Sequence, residues 1–256
     1  GSAACEACPK GGVCEDAGAA SRLVWQPCPA GSFNPNRGSS SSAACHDCKQ
    51  GSYCPEGTSA PLPCEAGSYS DKTNLDSAGG CEGCPEGHAC TTGSVAPMAC
   101  RAGTFAAGSR NAECERCAGG SYQNDTGAAG CRDCKQGSYC EPGASRPLPC
   151  EGGSYSDKTD LSAASHCTPA DPGYIAARGA TEQTACGEGS FASGTRNEVC
   201  ELCVEGSYQG ATGASECTDA DPGHFATTGA TQQTPCAKGS YAATPGLSKC
   251  ERCAGG

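Results

Sequence analysis

Residues 45–81 read CHDCKQGSYCPEGTSAPLPCEAGSYSDKTNLDSAGGC, and residues 131–167 read CRDCKQGSYCEPGASRPLPCEGGSYSDKTDLSAASHC. The two stretches lie 86 residues apart and agree at 26 of 37 positions. Each carries Gly-Ser-Tyr twice between cysteines. The pattern extends outward along the whole chain. A segment that opens with Cys, passes through Gly-Ser/Thr-Tyr/Phe and closes at Cys occurs eight times. It opens at Cys28, Cys64, Cys100, Cys117, Cys150, Cys186, Cys203 and Cys236. It closes at Cys45, Cys81, Cys114, Cys131, Cys167, Cys200, Cys217 and Cys250. Another opens at Cys253. Repetition at this scale implies an array of small units that contact mainly their neighbours.

The spacers between segments take three forms. The full one has four cysteines, as in Cys45, Cys48, Cys54 and Cys64. The shortest is a bare Cys-x-x-Cys, as in Cys114 to Cys117. The third, from Cys167 to Cys186 and from Cys217 to Cys236, keeps the outer pair and lacks both inner ones. Ala170 and Ile175 or Ala176 stand where the first of these would hold them. Cysteines that vanish together are partners, because a lone survivor would be a reactive thiol. Comparison of the copies therefore pairs Cys8 with Cys14, Cys48 with Cys54, Cys84 with Cys90, and Cys134 with Cys140. The shortest spacer has no inner cysteines, so each Gly-Ser-aromatic segment closes on itself. That gives Cys28–Cys45, Cys64–Cys81, Cys100–Cys114, Cys117–Cys131, Cys150–Cys167, Cys186–Cys200, Cys203–Cys217 and Cys236–Cys250. Cys5 and Cys253 remain, unpaired within the chain or joined between copies head to tail.

Composition points the same way. The chain has 256 residues, 26 of them Cys, 38 Gly and 17 Pro, with one Met and one Trp. Its one run of three large apolar residues is Leu23-Val24-Trp25, too little to build a single core. The expected class is small disulfide-rich repeats: an elongated rod of short irregular β-hairpin modules, with little or no helix and no single hydrophobic core. The copies divide the chain into first modules at 1–44, two 86-residue super-repeats at 45–130 and 131–216, and a partial copy at 217–256. Dense cystine implies a secreted or cell-surface location. The net charge of -11 argues against a nucleic-acid partner, and no segment reads as a membrane insertion.

Candidate chemistry is sparse. Seven Cys-x-x-Cys pairs raise zinc, but every cysteine in them except the terminal two has a disulfide partner. His46, His88, His166 and His224 share no constellation and are read as surface residues. No cofactor, metal site or catalytic group is expected. The Ser-Asp-Lys-Thr stretches at 70–73 and 156–159 read as turns. Asn124-Asp125-Thr126 is an N-glycosylation sequon. Ser39, Ser40, Ser41, Ser42, Thr91 and Thr92 are candidates for O-linked glycan. Trp25, in a lengthened spacer, is a candidate interface residue. The Tyr and Phe rings are expected inside their modules, each against its disulfide and the next module's backbone.

At Cys-x-x-Gly-Ser/Thr-Tyr/Phe…Cys-x-x-Cys the chain resembles ephrin-receptor-like cysteine-rich repeats and the first half-module of tumour-necrosis-factor-receptor cysteine-rich domains. The resemblance implies disulfide-closed modules in series. Such arrays occur in receptor ectodomains and in protist and algal surface proteins, including mastigonemes. The near-identical copies and the Ala/Gly/Ser richness favour a structural glycoprotein of an extracellular fibre or appendage. Its partners would be further copies or neighbouring segments, head to tail, and its modifications covalent glycans. The alternative is the stalk or ligand-binding ectodomain of a receptor.

Overall fold

The structure, a computed structural model, describes residues 8–16 and 23–254. Its unit is a β-hairpin opened by a turn glycine. Fourteen two-stranded antiparallel sheets are present among the described residues. Their turn glycines are Gly11, Gly31, Gly51, Gly67, Gly87, Gly103, Gly120, Gly137, Gly153, Gly173, Gly189, Gly206, Gly223 and Gly239. Each hairpin is named here by its glycine. The spacing between successive glycines is 16, 17 or 20 residues. Apart from the Gly11 hairpin, whose strands Gly12–Asp16 and Leu23–Pro27 have five residues each, every strand has two. Ser52–Tyr53 against Leu62–Pro63 is typical, with Ser52 opposite Pro63 and Tyr53 opposite Leu62. Gly, Pro and Asx turns every few residues leave no room for longer strands. The described residues hold no α-helix, only three 3-10 turns, at Ser42–Ala44, Ala78–Gly80 and Ala164–His166.

Cysteine spacing had divided the chain into segments and spacers of different kinds. The structure makes them one kind. A spacer such as 48–64 forms the same hairpin as a closed segment such as 64–81. Only the route of the disulfide differs.

Successive hairpins are joined by a recurring backbone bond. The amide of each turn glycine donates to the carbonyl oxygen three residues past the next turn glycine: Gly51 to Ser70 (2.8 Å), Gly67 to Cys90 (2.7 Å), Gly153 to Ala176 (2.7 Å). All thirteen junctions have it. A second bond runs back from a left-handed residue in the following hairpin. The amides of Gly93 and Gly179 donate to the carbonyls of Cys64 and Cys150, both at 2.8 Å. Four of these left-handed positions carry side chains, Asn74, Arg110, Asp160 and Arg196, with φ from 60° to 65°. The turn glycine is fixed by more than its own φ. A methyl group on Gly51 would strike the carbonyl oxygen of Gly93, two hairpins on.

The described residues fall into two compact units. One runs to Cys117 and includes Gln123–Cys131; the other is Ala118–Tyr122 with the residues from Arg132 on. Six junctions belong to the first unit and seven to the second. Neither contains a conventional core. The buried side chains are mainly cystines and small residues. Cys150, Leu161 and Cys167, with Tyr139 against them, form a local apolar cluster within the second unit.

Candidate functional site

Three residues before each turn glycine stands an inward Cys, buried in every case but Cys236, or in the Gly173 and Gly223 hairpins a buried Ala170 or Ala220. Three residues after it stands a second inward position. In four hairpins that position is also Cys, and the bond is made across the turn: Cys8–Cys14, Cys48–Cys54, Cys84–Cys90 and Cys134–Cys140. In eight it is Asn34, Ser70, Ala106, Gln123, Ser156, Ala192, Gln209 or Ala242, and the first Cys reaches the end of its loop instead. Those bonds are Cys28–Cys45, Cys64–Cys81, Cys100–Cys114, Cys117–Cys131, Cys150–Cys167, Cys186–Cys200, Cys203–Cys217 and Cys236–Cys250. The Cα atoms of all twelve pairs lie 5.6–5.9 Å apart. These are the partners reached by comparing copies. Cys253 is an exposed thiol, and Cys5 lies outside the described residues.

Two hairpins lack cystine. Ala170 and Ala176, and likewise Ala220 and Ala226, fill its place. Of the two candidates for the second lost cysteine, Ala176 is the one that points inward; Ile175 occupies the aromatic position. Both hairpins add a side-chain clamp. The Gln183 amide donates to the Asp171 carboxylate at 2.8 Å while its carbonyl accepts from the Asp171 amide at 2.8 Å. Gln233 and Asp221 repeat it.

The rings are not inside. Eleven of the twelve Tyr and Phe side chains are half-buried, and Tyr241 is 44% exposed. The cystines and small inward residues already fill the thin interior, so a ring lies over the strand opposite, as Phe33 and Tyr69 do, or against the next hairpin, as Tyr139 does. Phe33 and His46 are paired across their hairpin with ring centroids 5.8 Å apart. The Tyr69 hydroxyl donates to the Glu82 carboxylate at 3.2 Å, and Lys72 reaches the same carboxylate at 2.8 Å. The hydrogen bond from Lys72, then that from Tyr69, holds the Glu82 carboxyl below its ordinary value. The bond to Glu82 raises both Tyr69 and Lys72. Tyr241 is raised in the same way by Glu251, 2.9 Å away.

The remaining candidates stand apart from one another. His46 and His166 are exposed, but His88 and His224 are half-buried, in the place where most other hairpins have Ser or Thr. The Nδ1 atom of His224 is buried without a partner. Asn124 is exposed, as its sequon requires. Ser40, Ser41, Ser42, Thr91 and Thr92 are exposed, and Ser39 is half-buried. Ser70 accepts from the Lys72 amide and Ser156 from that of Lys158, so both Ser-Asp-Lys-Thr stretches form side-chain-braced turns. Trp25, 43% exposed, lies against Gly12 and Gly57. Among the described residues no group of three His, Cys, Asp or Glu is placed to hold a metal ion, and no helix is long and apolar enough to cross a membrane.

What cysteine spacing hides is the hairpin register. Counted from the turn glycine, the ring position is Val13, Phe33, Tyr53, Tyr69, Ala89, Phe105, Tyr122, Tyr139, Tyr155, Ile175, Phe191, Tyr208, Phe225 and Tyr241. One of the fourteen, Ala89, is small. The signal was present in Gly87-His88-Ala89-Cys90, once read on the glycine rather than on the cysteines.

The sequence matches no protein-family model, and no curated protein is significantly similar to it.

Proposed function

We propose that the chain is a non-enzymatic repeat segment of an extracellular structural glycoprotein, part of a fibre or cell-surface appendage. The observation that carries this reading is the junction. One backbone donor and one backbone acceptor join every successive pair of hairpins, whatever their side chains. A unit whose recurring joint to its neighbour is a main-chain bond suits extension by copy number rather than a tailored single site. The cystine density fits an oxidising compartment, and the exposed Asn124 sequon fits glycan attachment. The resemblance to ephrin-receptor-like and mastigoneme repeats belongs to the same proposal.

Electron microscopy of the full-length protein from its native source tests it. Fibres or appendage hairs containing this chain are expected, with peptide mapping showing sugar on Asn124. Discrete globular monomers would overturn it. A second reading, a receptor ectodomain, is favoured by one feature, an open groove of about 490 Å³ lined by residues that include Met98, Ala99, Arg101 and Arg116. A membrane-anchored signalling protein in native extracts supports that reading over the first.

A further inference from the structure

The chain has two Asp-Pro bonds, Asp171–Pro172 and Asp221–Pro222. Both stand immediately before a turn glycine, in the two hairpins that lack cystine. None of the other twelve hairpins has Asp two residues before its glycine or Pro one residue before it. In those twelve, a break at this place is spanned by the hairpin's own disulfide, as by Cys48–Cys54 around Gly51. Here it is not. Asp171–Pro172 lies between Cys150–Cys167 and Cys186–Cys200, and Asp221–Pro222 between Cys203–Cys217 and Cys236–Cys250.

The surroundings of the two bonds repeat. Asp171, Pro172, Asp221 and Pro222 are all exposed. The carbonyl oxygen of Asp171 accepts the Tyr174 amide at 3.0 Å, and that of Asp221 the His224 amide at 2.9 Å, which polarises the carbonyl. One side-chain amide, that of Gln183, holds both the Asp171 backbone N–H and its Oδ2, keeping that oxygen on the amino side of its residue. Gln233 holds Asp221 in the same way. The charged residues of the two stretches and of the joints bonded to them are Arg178, Glu182 and Arg196 for the first, Asp219 and His224 for the second. None of them forms an ion pair with either carboxylate among the described residues.

We propose that Asp171–Pro172 and Asp221–Pro222 are sites of acid-triggered self-scission, each held shut by its glutamine clamp. A carboxyl oxygen of Asp171 attacks the carbonyl carbon of its own residue and forms a cyclic anhydride. The C–N bond to Pro172 breaks, and the proline nitrogen takes a proton from the acid and leaves as a secondary ammonium group. Water then opens the anhydride to a C-terminal Asp with two carboxyl groups; nothing is oxidised or reduced. The nucleophile belongs to the same residue as the bond, so no second reactant has to be positioned. Gln183 is a positioning residue. With Oδ2 fastened beside the Asp171 amide, the carboxyl group must leave the clamp to reach the carbonyl carbon on the other side of Cα. The absence of cystine makes the cut effective. Both cuts together free residues 172–221, a piece as long as the 50-residue repeat, held afterwards by junction hydrogen bonds alone. The sites stand whether the chain serves in a fibre or a receptor.

The test holds the oxidised chain in dilute formic acid and follows it, without reductant, by intact mass spectrometry. Products ending at Asp171 and Asp221 and beginning at Pro172 and Pro222 are expected to separate. Asp171→Asn removes the first cut and Asp221→Asn the second. Gln183→Ala speeds the first cut about threefold, the factor that two exposed hydrogen bonds allow, while the second cut in the same molecule keeps its rate. Ile175→Ala loosens the same hairpin, as amide exchange reports, but spares the clamp, and the first cut keeps its rate. With Ala170→Cys and Ala176→Cys the cut ends stay in one mass, heavier by one water, until reductant is added. Scission no faster at these bonds than at other Asp residues overturns the proposal, as does undiminished scission in the Asn variants. Slowing or no change with Gln183→Ala, or equal acceleration by Ile175→Ala, overturns the role of the clamp.

Discussion

The Gly87 and Gly173 hairpins occupy equivalent places in the two super-repeats, and they are held differently. In the first, Cys84 and Cys90 are bonded across the turn, the ring position is Ala89, and the residue opposite is Met98. In the second, Ala170 and Ala176 sit where the cystine would be, Ile175 fills the ring position over Thr184, and Asp171 is clamped to Gln183. The glycine junctions are the same in both: Gly87 donates to Ala106 and Gly173 to Ala192. The backbone pattern therefore does not need the cystine. The covalent pin and the packed side chain with its clamp are alternative ways of holding one hairpin closed. Where the pin is present the large side chain is dispensable, as Ala89 shows.

The most severe disruption of the comparison is to remove all pins at once. Reduction and alkylation under otherwise native conditions should abolish amide-exchange protection along the chain. Each long-loop bond restricts the unfolded ensemble by about 3 kcal/mol, and no core replaces it. Survival of the junction amides after full reduction would show that the backbone network is self-sufficient.

Next in size is an attack on the junction itself. Gly173→Ala forces a methyl group against the carbonyl oxygen of Gly213 at φ +84°, and should cost about 3 kcal/mol. The effect should appear as faster exchange at the Gly173 and Arg196 amides. Gly87→Ala meets Gly127 in the same way, but its hairpin stays cross-linked. Its exchange should accelerate less.

The pins are exchangeable at smaller cost. Cys84→Ala with Cys90→Ala should loosen the Gly87 hairpin by about 2 kcal/mol, the value for a loop this short. Adding Ala89→Ile, Pro85→Asp and Pro97→Gln, the residues of the Gly173 hairpin, should recover part of it. The converse pair, Ala170→Cys and Ala176→Cys, should oxidise spontaneously and tighten its hairpin; mass spectrometry and local exchange read both. Gln183→Ala alone, which removes two exposed hydrogen bonds, should cost about 0.5–1 kcal/mol.

The smallest effect separates the Gly67 and Gly153 hairpins. Tyr69 lies opposite Glu82, whereas Tyr155 lies opposite Thr168. Glu82 titrates below the ordinary carboxylate value, so its contribution is present above that value and fades as pH falls through the lowered one. Exchange in the Gly67 hairpin should therefore rise slightly in acid while that of the Gly153 hairpin does not. Lys72→Met should raise the Glu82 titration, followed by carboxyl carbon-13 NMR.

The parts of this fold legible in the sequence are those that copies report on jointly. The inner cysteines absent together between 167 and 186 identified their partners elsewhere, because a disulfide is a two-residue constraint and both ends vary as one. The rings misled for a physical reason. With Cys48, Cys54 and Cys64 all fully buried in adjoining hairpins, the interior is a single layer of sulfur and small side chains, and Tyr53 has only the strand surface to cover. The small residue in the ring position of the Gly87 hairpin went unread because it is defined by what Ala89 lacks. A missing side chain has no motif, and becomes visible only when the other hairpins are superposed on its glycine.

The bond from the turn glycine to the carbonyl three residues past the next one has an evolutionary consequence. It consults no side chain, so an in-frame insertion or deletion of one hairpin leaves both flanks able to rejoin. Unequal crossing-over can then lengthen or shorten such a gene without compensating substitutions. The 36-residue difference between the 86-residue and 50-residue returns in this chain equals two such units, the Gly137 and Gly153 hairpins, with no counterpart after Cys217.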